Sequence, residues 1–259
     1  MRRPSLILAL AAIVLSLAFA SAARAECTPD TITWIDDATN TVSSQVTNTG
    51  ADTYIGAEFV ILGYIVRKSQ EASFDLRTGD FHARADMQVT YMAGGAFAHG
   101  RVRAHDTYTV LGPDGAAPTT FTARLDYHAT CAGYFQYWGP YETLSMPSGD
   151  ARLVFAGGDA QADSTYHTGN GTYHDSLEVA VTRAPGGTFE LSFDVHAIAN
   201  GVGDHTQDYG SNRTATIDAS LMFRGLPAGW SIVSCQGYQA GQIVPARKST
   251  WGRVKSMYR

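Results

Sequence analysis

Three histidines of this sequence could meet as ligands of a transition metal. Asn170-Gly171 is a strong signal for a two-residue hairpin turn, and such a turn would place His167 opposite His174. A second hairpin, described below, would set His174 opposite His196. The three imidazoles would then form a row across adjacent strands, with steps of about 5 Å. Because imidazole suits zinc, copper and nickel, this row is a candidate site for a divalent metal.

Two other interpretations of these histidines stay open. A three-residue loop, Gly169-Asn170-Gly171, would turn His167 to the opposite face and remove the site. The histidines could also be unrelated members of a polar outer face. Apart from this possible metal, we expect no cofactor, because the sequence has no Walker loop and no dinucleotide-binding glycine motif.

A second candidate site is the aromatic segment that runs from residue 134 to residue 141. Gly139-Pro140 should end any regular strand, so we expect several of the rings to lie on a loop. Aromatic faces stack on sugar rings, and their OH and NH groups bind sugar hydroxyls. The competing interpretation is a lid over one end of the fold. The residues expected to contact a glycan are Tyr134, Tyr137, Trp138 and Tyr141.

Other motifs for chemistry are weak or missing. Asp204 and Asp208 lie in a glycine-rich loop that could hold calcium, but their spacing favours a solvated turn. The sequence has no G-x-S-x-G and no H-E-x-x-H, the motifs of serine hydrolases and zinc proteases. Glycosidases need two facing carboxylates and carry no short motif, so this class stays open.

The elements that position these residues are predicted to be β-strands. Apolar side chains alternate with polar ones along much of the chain, which is the period of a strand with one buried face. No internal stretch has a convincing helical period. We therefore predict an all-β protein, an antiparallel β-sandwich of jelly-roll-like form. The inward sets are Phe81 to Tyr91, Phe121 to Tyr127, Leu177 to Val181, Phe189 to Val195, and Ile217 to Phe223, each taken at alternate positions.

Two further hairpins can be placed in register from apolar pairing. The first turns at Gly94-Gly95 and sets Met87 against Val102 and Asp86 against Arg103. The second turns at Ala184-Pro185-Gly186 and supplies the register that brings His174 to His196. Its apolar pairs are Val181 with Phe189, Val179 with Leu191, and Leu177 with Phe193.

The N-terminus has the features of a secretory signal peptide. Met1-Arg2-Arg3 is a positive n-region, an apolar stretch follows, and Ala23-Arg24-Ala25 fits the cleavage rule. Glu26 separates this site from Cys27, which argues against a lipoprotein. We expect export to the periplasm, cell envelope or medium, with no membrane span after cleavage. The predicted units are a signal peptide at 1–25, a sandwich at 26–240 and a basic tail at 241–259.

Charge is distributed unevenly along the chain. The formal net charge is −5, but the part from Glu26 to Ala246 holds all 24 Asp and Glu residues and only 11 of the 19 Lys and Arg residues. Such an acidic body repels phosphates, so we expect no nucleic-acid partner. The basic tail could fold back on this body or meet an anionic surface.

The three cysteines permit one disulfide and leave one thiol over. Cys27, Cys131 and Cys235 would lie in an oxidising compartment after export. We expect the Cys131–Cys235 pair, although spacing does not choose among the three pairings. No C-x-x-C motif is present, so neither a redox site nor a zinc ribbon is supported.

The C-terminal third carries a family resemblance. Residues Asp208–Thr214, Gly225–Ser231 and Ser234–Tyr238 resemble the closing strands of bacterial exported β-sandwich proteins of the PEP-CTERM-associated type. The sorting tail of that group, with its Pro-Glu-Pro and terminal apolar helix, is missing. The tail around Trp251 is instead similar to tails of other secreted bacterial proteins. The resemblance implies an exported surface or envelope protein and supplies no catalytic residue.

These observations favour a non-catalytic exported protein that binds a glycan or a surface partner through loops at one end. The alternative is a secreted carbohydrate-active enzyme, a glycosidase or lyase, with an Asp/Glu pair on a concave sheet face. A purely structural protein is the third class. An enzyme would show a cleft with convergent carboxylates of perturbed pKa, whereas a binding protein would show a shallow aromatic platform and no such pair.

Overall fold

The structure, a computed structural model, describes residues 31–36, 42–47, 51–55, 65–90, 94–137, 149–157, 161–203 and 209–241. Regular structure within these ranges consists of fourteen β-strands. No helix in this part of the chain is long and apolar enough to cross a bilayer. The predicted signal peptide, 1–25, and the tail beyond residue 241 lie outside the described residues.

The strands form two antiparallel sheets that pack against each other. Sheet I has the order β9 (Gln161–Thr168), β8 (Asp150–Gly157), β11 (Thr188–Gly203), β6 (Gly94–Leu111), β13 (Ser231–Ser234) and β14 (Gln239–Gly241), with β1 (Thr31–Asp36) also on β6 and β2 (Val42–Thr47) on β1. Sheet II has the order β10 (Gly171–Arg183), β7 (Thr119–Tyr137), β12 (Tyr209–Arg224), β5 (Asp80–Thr90), β4 (Ile65–Asp75) and β3 (Ala51–Ile55).

The connectivity confirms the predicted jelly-roll-like sandwich. β5 pairs with β12, β6 with β11, β7 with β10 and β8 with β9, so the chain folds back on itself as one long ribbon. Successive pairs of this ribbon lie in sheet II and sheet I alternately. That winding is the jelly-roll arrangement, in which two sheets share one core.

The predicted inward faces form the core, although Phe223 is only partly buried and Tyr91 lies outside the described residues. Alternate residues of β5, β7, β10, β11 and β12 are buried, as their period-two patterns require. Phe193 of sheet I stacks on Phe81 of sheet II with ring centroids 4.5 Å apart, and on Phe155 with centroids 5.4 Å apart. Such offset aromatic pairs add about 0.5–1.5 kcal/mol each beyond the area they bury.

All three predicted hairpins are wrong. β5 and β6 lie in different sheets, as do β9 and β10, and β10 and β11. Met87 is paired with Lys68 and Arg213, and Val179 with Ala123. The physical reason is that alternation determines which face of a strand is buried but not which strand lies beside it. Apolar side chains of two strands meet in the core equally well when the strands belong to opposite sheets. The short turns at residues 169–170 and 184–187 therefore cross between sheets.

The expected Cys131–Cys235 disulfide is also wrong. Cys235 is disulfide-bonded, whereas Cys131 is a free thiol that is 1% exposed. Cys131 lies on the inward face of β7 beside Ala215, and the Cys235 backbone bonds to Thr107 after β13. The third cysteine of the sequence, Cys27, lies outside the described residues.

Cys131 is expected to resist alkylation in the folded protein. Burial raises the pKa of its thiol to about 11, so the reactive thiolate is scarce near neutral pH, and the core also excludes the reagent. Intact mass after iodoacetamide treatment should show no added group under native conditions and one added group in denaturant. Rapid labelling of the native protein at this position would contradict the described packing.

Candidate functional site

The structure does not bring the three predicted metal ligands together. His167 is in sheet I opposite Ala151, His174 is in sheet II opposite His128, and His196 is in sheet I between Arg101 and Arg152. The predicted row is wrong because both hairpins on which it depended are absent. Within the described residues, no group of three or more His, Cys, Asp or Glu side chains is placed to hold a metal ion.

Each of these histidines has a local partner instead. The Nε2 atom of His167 lies 2.8 Å from the hydroxyl of Tyr127, and its ring stacks on Tyr173. Burial lowers the pKa of His167, which favours the neutral ring. His174 stacks in parallel on His128 with centroids 4.2 Å apart. The Nε2 atom of His196 shares a hydrogen bond of 2.9 Å with Nδ1 of a neighbour, His99.

The first part of the aromatic segment belongs to a strand rather than a loop. β7 continues to Tyr137, whose backbone pairs with Tyr209, so both Tyr134 and Tyr137 are strand residues. Tyr134 is 41% exposed on the outward face of sheet II, and its hydroxyl accepts a hydrogen bond of 3.1 Å from Asn212 Nδ2. Its role in ligand contact stays a prediction.

Several predicted residues lie outside the described residues. These are Trp138 and Tyr141 of the aromatic segment, and Asp204 and Asp208 of the candidate calcium loop. The expectation that the first pair contacts a glycan, and that the second pair lies in a solvated turn, therefore stays a prediction.

A large hollow lies on the outward face of sheet II. Its volume is about 730 Å³, and it opens where β4, β5 and β12 run side by side. The register places Ser73, His82 and Asp218 in one row across these strands. The next row holds Asp75, Asp80 and Ser220. Because outward side chains recur at every second residue, these two rows stand next to each other.

The polar side chains of this hollow are held by one another. The imidazole of His82 donates from Nδ1 to Asp218 Oδ1 over 2.7 Å. The hydroxyl of Ser220 donates to Asp80 Oδ1 over 2.8 Å. In both Asp80 and Asp218, the Oδ1 atom accepts this hydrogen bond, which fixes the orientation of the carboxylate. The Oδ2 atom takes no part in either bond.

Asp75 and the turn that follows it form one rim of the hollow. The Arg77 guanidinium donates to Asp75 over 2.9 Å and 3.1 Å, and it holds the pKa of that carboxyl below its usual value. The turn ends at Gly79, whose φ of 78° favours glycine. The carbonyl of Gly79 accepts a hydrogen bond of 2.8 Å from the Leu221 amide, which ties the turn to β12.

A second hollow of about 370 Å³ lies on the same face, nearer the start of β4 and β12. Its outward residues include Arg67, Gln88 and Asn212, the last of which bonds Tyr134. Asp86, which lines the second hollow, accepts hydrogen bonds from Ser69 and Arg84. His82 and Gln88 are six residues apart on β5, so the two hollows extend over about 20 Å. We call the two together the sheet II groove.

Sequence reasoning missed this groove, although a signal for it was present. His82, Arg84, Asp86 and Gln88 are the polar positions of the clearest alternating strand in the sequence. The pattern shows that these positions face outward, but it does not show which other strands lie beside them. Asp218 is 136 residues from His82 in the chain, and only the jelly-roll winding brings the two together.

Comparisons with known proteins leave the function open. The sequence matches no family model and no curated protein. Among solved structures, the chain is similar to TmCBM61, whose structure is a complex with β-1,4-galactotriose, at 9% identity over 68% of this chain and 88% of that chain. The TM-score is 0.22, which is too low for any correspondence of residues or ligand sites. The resemblance to exported PEP-CTERM-associated proteins stays a prediction.

Proposed function

We propose that this protein is an exported, non-catalytic glycan-binding protein and that the glycan lies in the sheet II groove. The observation that carries the proposal is the hollow of about 730 Å³ in which Asp80 and Asp218 stand in adjacent rows with a hydroxyl and an imidazole beside them. Export is supported by the signal-peptide features of residues 1–25.

Carboxylates of this kind suit sugar recognition. A carboxylate has two acceptor oxygens and can receive hydrogen bonds from neighbouring hydroxyls of one sugar ring. Ser220 and His82 fix Asp80 and Asp218 in place before a ligand arrives. Such preorganisation lowers the entropy lost on binding. Hydrogen bonds to charged groups contribute about 1.5–3 kcal/mol each, so two of them support useful affinity.

The length of the groove suits a chain of sugars rather than a single one. Its two hollows follow the strands of one sheet, and Tyr134 lies beside the second of them through its bond to Asn212. An exposed aromatic ring at that end can stack on a sugar face. Of the aromatic residues predicted from the sequence, Tyr134 therefore enters the proposal, at one end of the groove.

Binding accounts for the groove better than hydrolysis does. A glycosidase needs a general acid whose pKa is raised, so that it holds a proton at working pH. Asp75 has the opposite property, because Arg77 lowers its pKa and keeps it ionised. The observed bonds of Asp80 and Asp218 give each a positioning partner and assign neither a role in proton transfer.

The double variant Asp80→Asn with Asp218→Asn is expected to lose glycan binding. Removing two charged acceptors should weaken the complex about a hundredfold or more, since each of the two bonds contributes at least about 1.5 kcal/mol and each 1.4 kcal/mol is a factor of ten. Binding is measured on a glycan array and then by calorimetry with the strongest oligosaccharide. The matched control is Asp114→Asn, which changes an exposed aspartate in the turn before β7.

The melting temperature of the double variant should stay close to that of the wild type, because both carboxylates are exposed. Equal binding by wild type and double variant would contradict the proposal. Release of reducing ends from the bound glycan would instead favour the glycosidase.

A further inference from the structure

The outward face of sheet I carries a row of a different character. Tyr166 of β9 is paired with Arg152 of β8, which is paired with His196 of β11, which is paired with Arg101 of β6. These four side chains therefore stand side by side across four strands, on the face opposite the sheet II groove. We call them the sheet I row.

The charges of this row are unequally neutralised. Arg101 donates from Nε to Asp194 over 2.8 Å, and its second nitrogen bonds the same carboxylate. Arg152 is exposed, and no carboxylate of the described residues forms an ion pair with it. Arg103 also lies near Asp194, with Nε 3.4 Å from the carboxylate. This part of the face therefore holds three guanidinium groups and two carboxylates, those of Asp194 and Asp150. This patch is thus positive on a chain whose net charge is −5.

His196 contributes hydrogen bonding without charge. Burial, Arg101 and His99 lower the pKa of His196 to about 3, so the ring is neutral at physiological pH. Its bond with His99 holds it in place between the two arginines of the row. Because the imidazole is neutral, it adds no charge to the row, and an anionic ligand would interact mainly with the exposed guanidinium.

Tyr166 adds an aromatic surface next to this guanidinium. It is 57% exposed, the highest exposure among the large apolar and aromatic side chains described. Its hydroxyl donates to Asp150 Oδ2 over 2.9 Å, which orients the ring and engages one oxygen of that carboxylate. An exposed ring beside an arginine can stack on a sugar while the arginine binds a group that the sugar carries.

We propose that the sheet I row binds an acidic sugar, a uronate unit, with its carboxylate on Arg152 and its ring on Tyr166. Guanidinium and carboxylate match in a planar, two-bond geometry that a neutral sugar cannot form. This second site is independent of the sheet II groove, where Asp75, Asp80 and Asp218 would repel an acidic ligand.

The test is calorimetric titration of the full chain with tetragalacturonate and with its methyl ester. The wild type is expected to bind the acid and to bind the ester at least tenfold more weakly. Arg152→Gln should weaken binding of the acid at least tenfold, and Tyr166→Ala should weaken it for acid and ester alike. The matched control, Arg224→Gln, changes an exposed arginine on the outward face of sheet II.

Three results would overturn the proposal: no binding of the acid by the wild type, equal binding of acid and ester, or equal loss in Arg152→Gln and Arg224→Gln. Melting temperatures of all variants show whether each is folded. The double variant Asp80→Asn with Asp218→Asn should keep its uronate binding, so a failure of the sheet II groove and a failure of this site give different results.

Discussion

Gly100→Ala is expected to lower the free energy of unfolding by about 3 kcal/mol or more, at the upper end of the range for overpacked interiors. A Cβ atom at this position of β6 would lie 2.3 Å from the carbonyl oxygen of Arg84 and 2.5 Å from that of Glu71. Both oxygens belong to the backbone of sheet II, so no rotation of a side chain can relieve the contact. The sheets themselves would have to move apart.

Gly157→Ala is the matched control for this prediction. Gly157 is also a strand glycine of sheet I, but an added Cβ would meet first a methyl group of Val179 at 3.1 Å, which can shift by a few tenths of an ångström. We expect a loss of about 1 kcal/mol or less there. Chemical denaturation of the two variants gives the comparison. Equal loss in both would show that the sheets do not approach closely at Gly100.

The second large expected effect is a loss of stability on acidification that depends on His196. In the folded protein its pKa is about 3, because of burial and the charges of Arg101 and His99, whereas an unfolded histidine titrates near 6.5. Between pH 6.5 and pH 3, His196 is protonated in the unfolded chain but stays neutral in the folded protein. Stability should therefore fall as the pH drops from 6.5 towards 3, by roughly 2 kcal/mol at pH 5.

His196→Gln should remove this part of the pH dependence, because glutamine does not titrate. Other groups add to the profile: the lowered pKa of His167 acts in the same direction, and the raised pKa of buried Asp106 acts in the opposite one. Both are present in wild type and variant alike, so the difference between the two proteins isolates His196. The lowered pKa of Asp194 takes effect below its usual value of 3.8, outside the window from pH 7 to pH 4.

The control for this measurement is His105→Gln, which changes another histidine on the same face, paired with Glu190. Unfolding is followed by denaturant titration at steps of pH between 7 and 4. The wild type and His105→Gln should lose stability more steeply than His196→Gln. Parallel profiles for all three proteins would show that His196 titrates normally in the fold.

The sequence determines the faces of the strands but not their neighbours. Phe81, Ala83, Ala85, Met87 and Val89 are all buried, as their alternation predicts. The same alternation suggested Val102 as the partner of Met87, although the two belong to opposite sheets. Both arrangements put the two side chains in the interior, and local patterning therefore cannot distinguish them.

The candidate site could not be predicted from the sequence for the same reason. Asp80 and Ser220, which bond in the groove, are 140 residues apart in the chain. Turn motifs such as Asn170-Gly171 gave the positions of the chain reversals, but those reversals pass from one sheet to the other instead of joining neighbours. A site built from non-local strands needs the pairing order, which local sequence does not contain.

The most direct test of the proposed groove is a backbone NMR titration with the oligosaccharide that binds most strongly on the array. We predict saturable shifts that are largest for the amides of Asp80, His82, Asp218 and Ser220. Shifts confined to residues 138–141, with β5 and β12 unchanged, would place the ligand outside the groove and contradict the proposal.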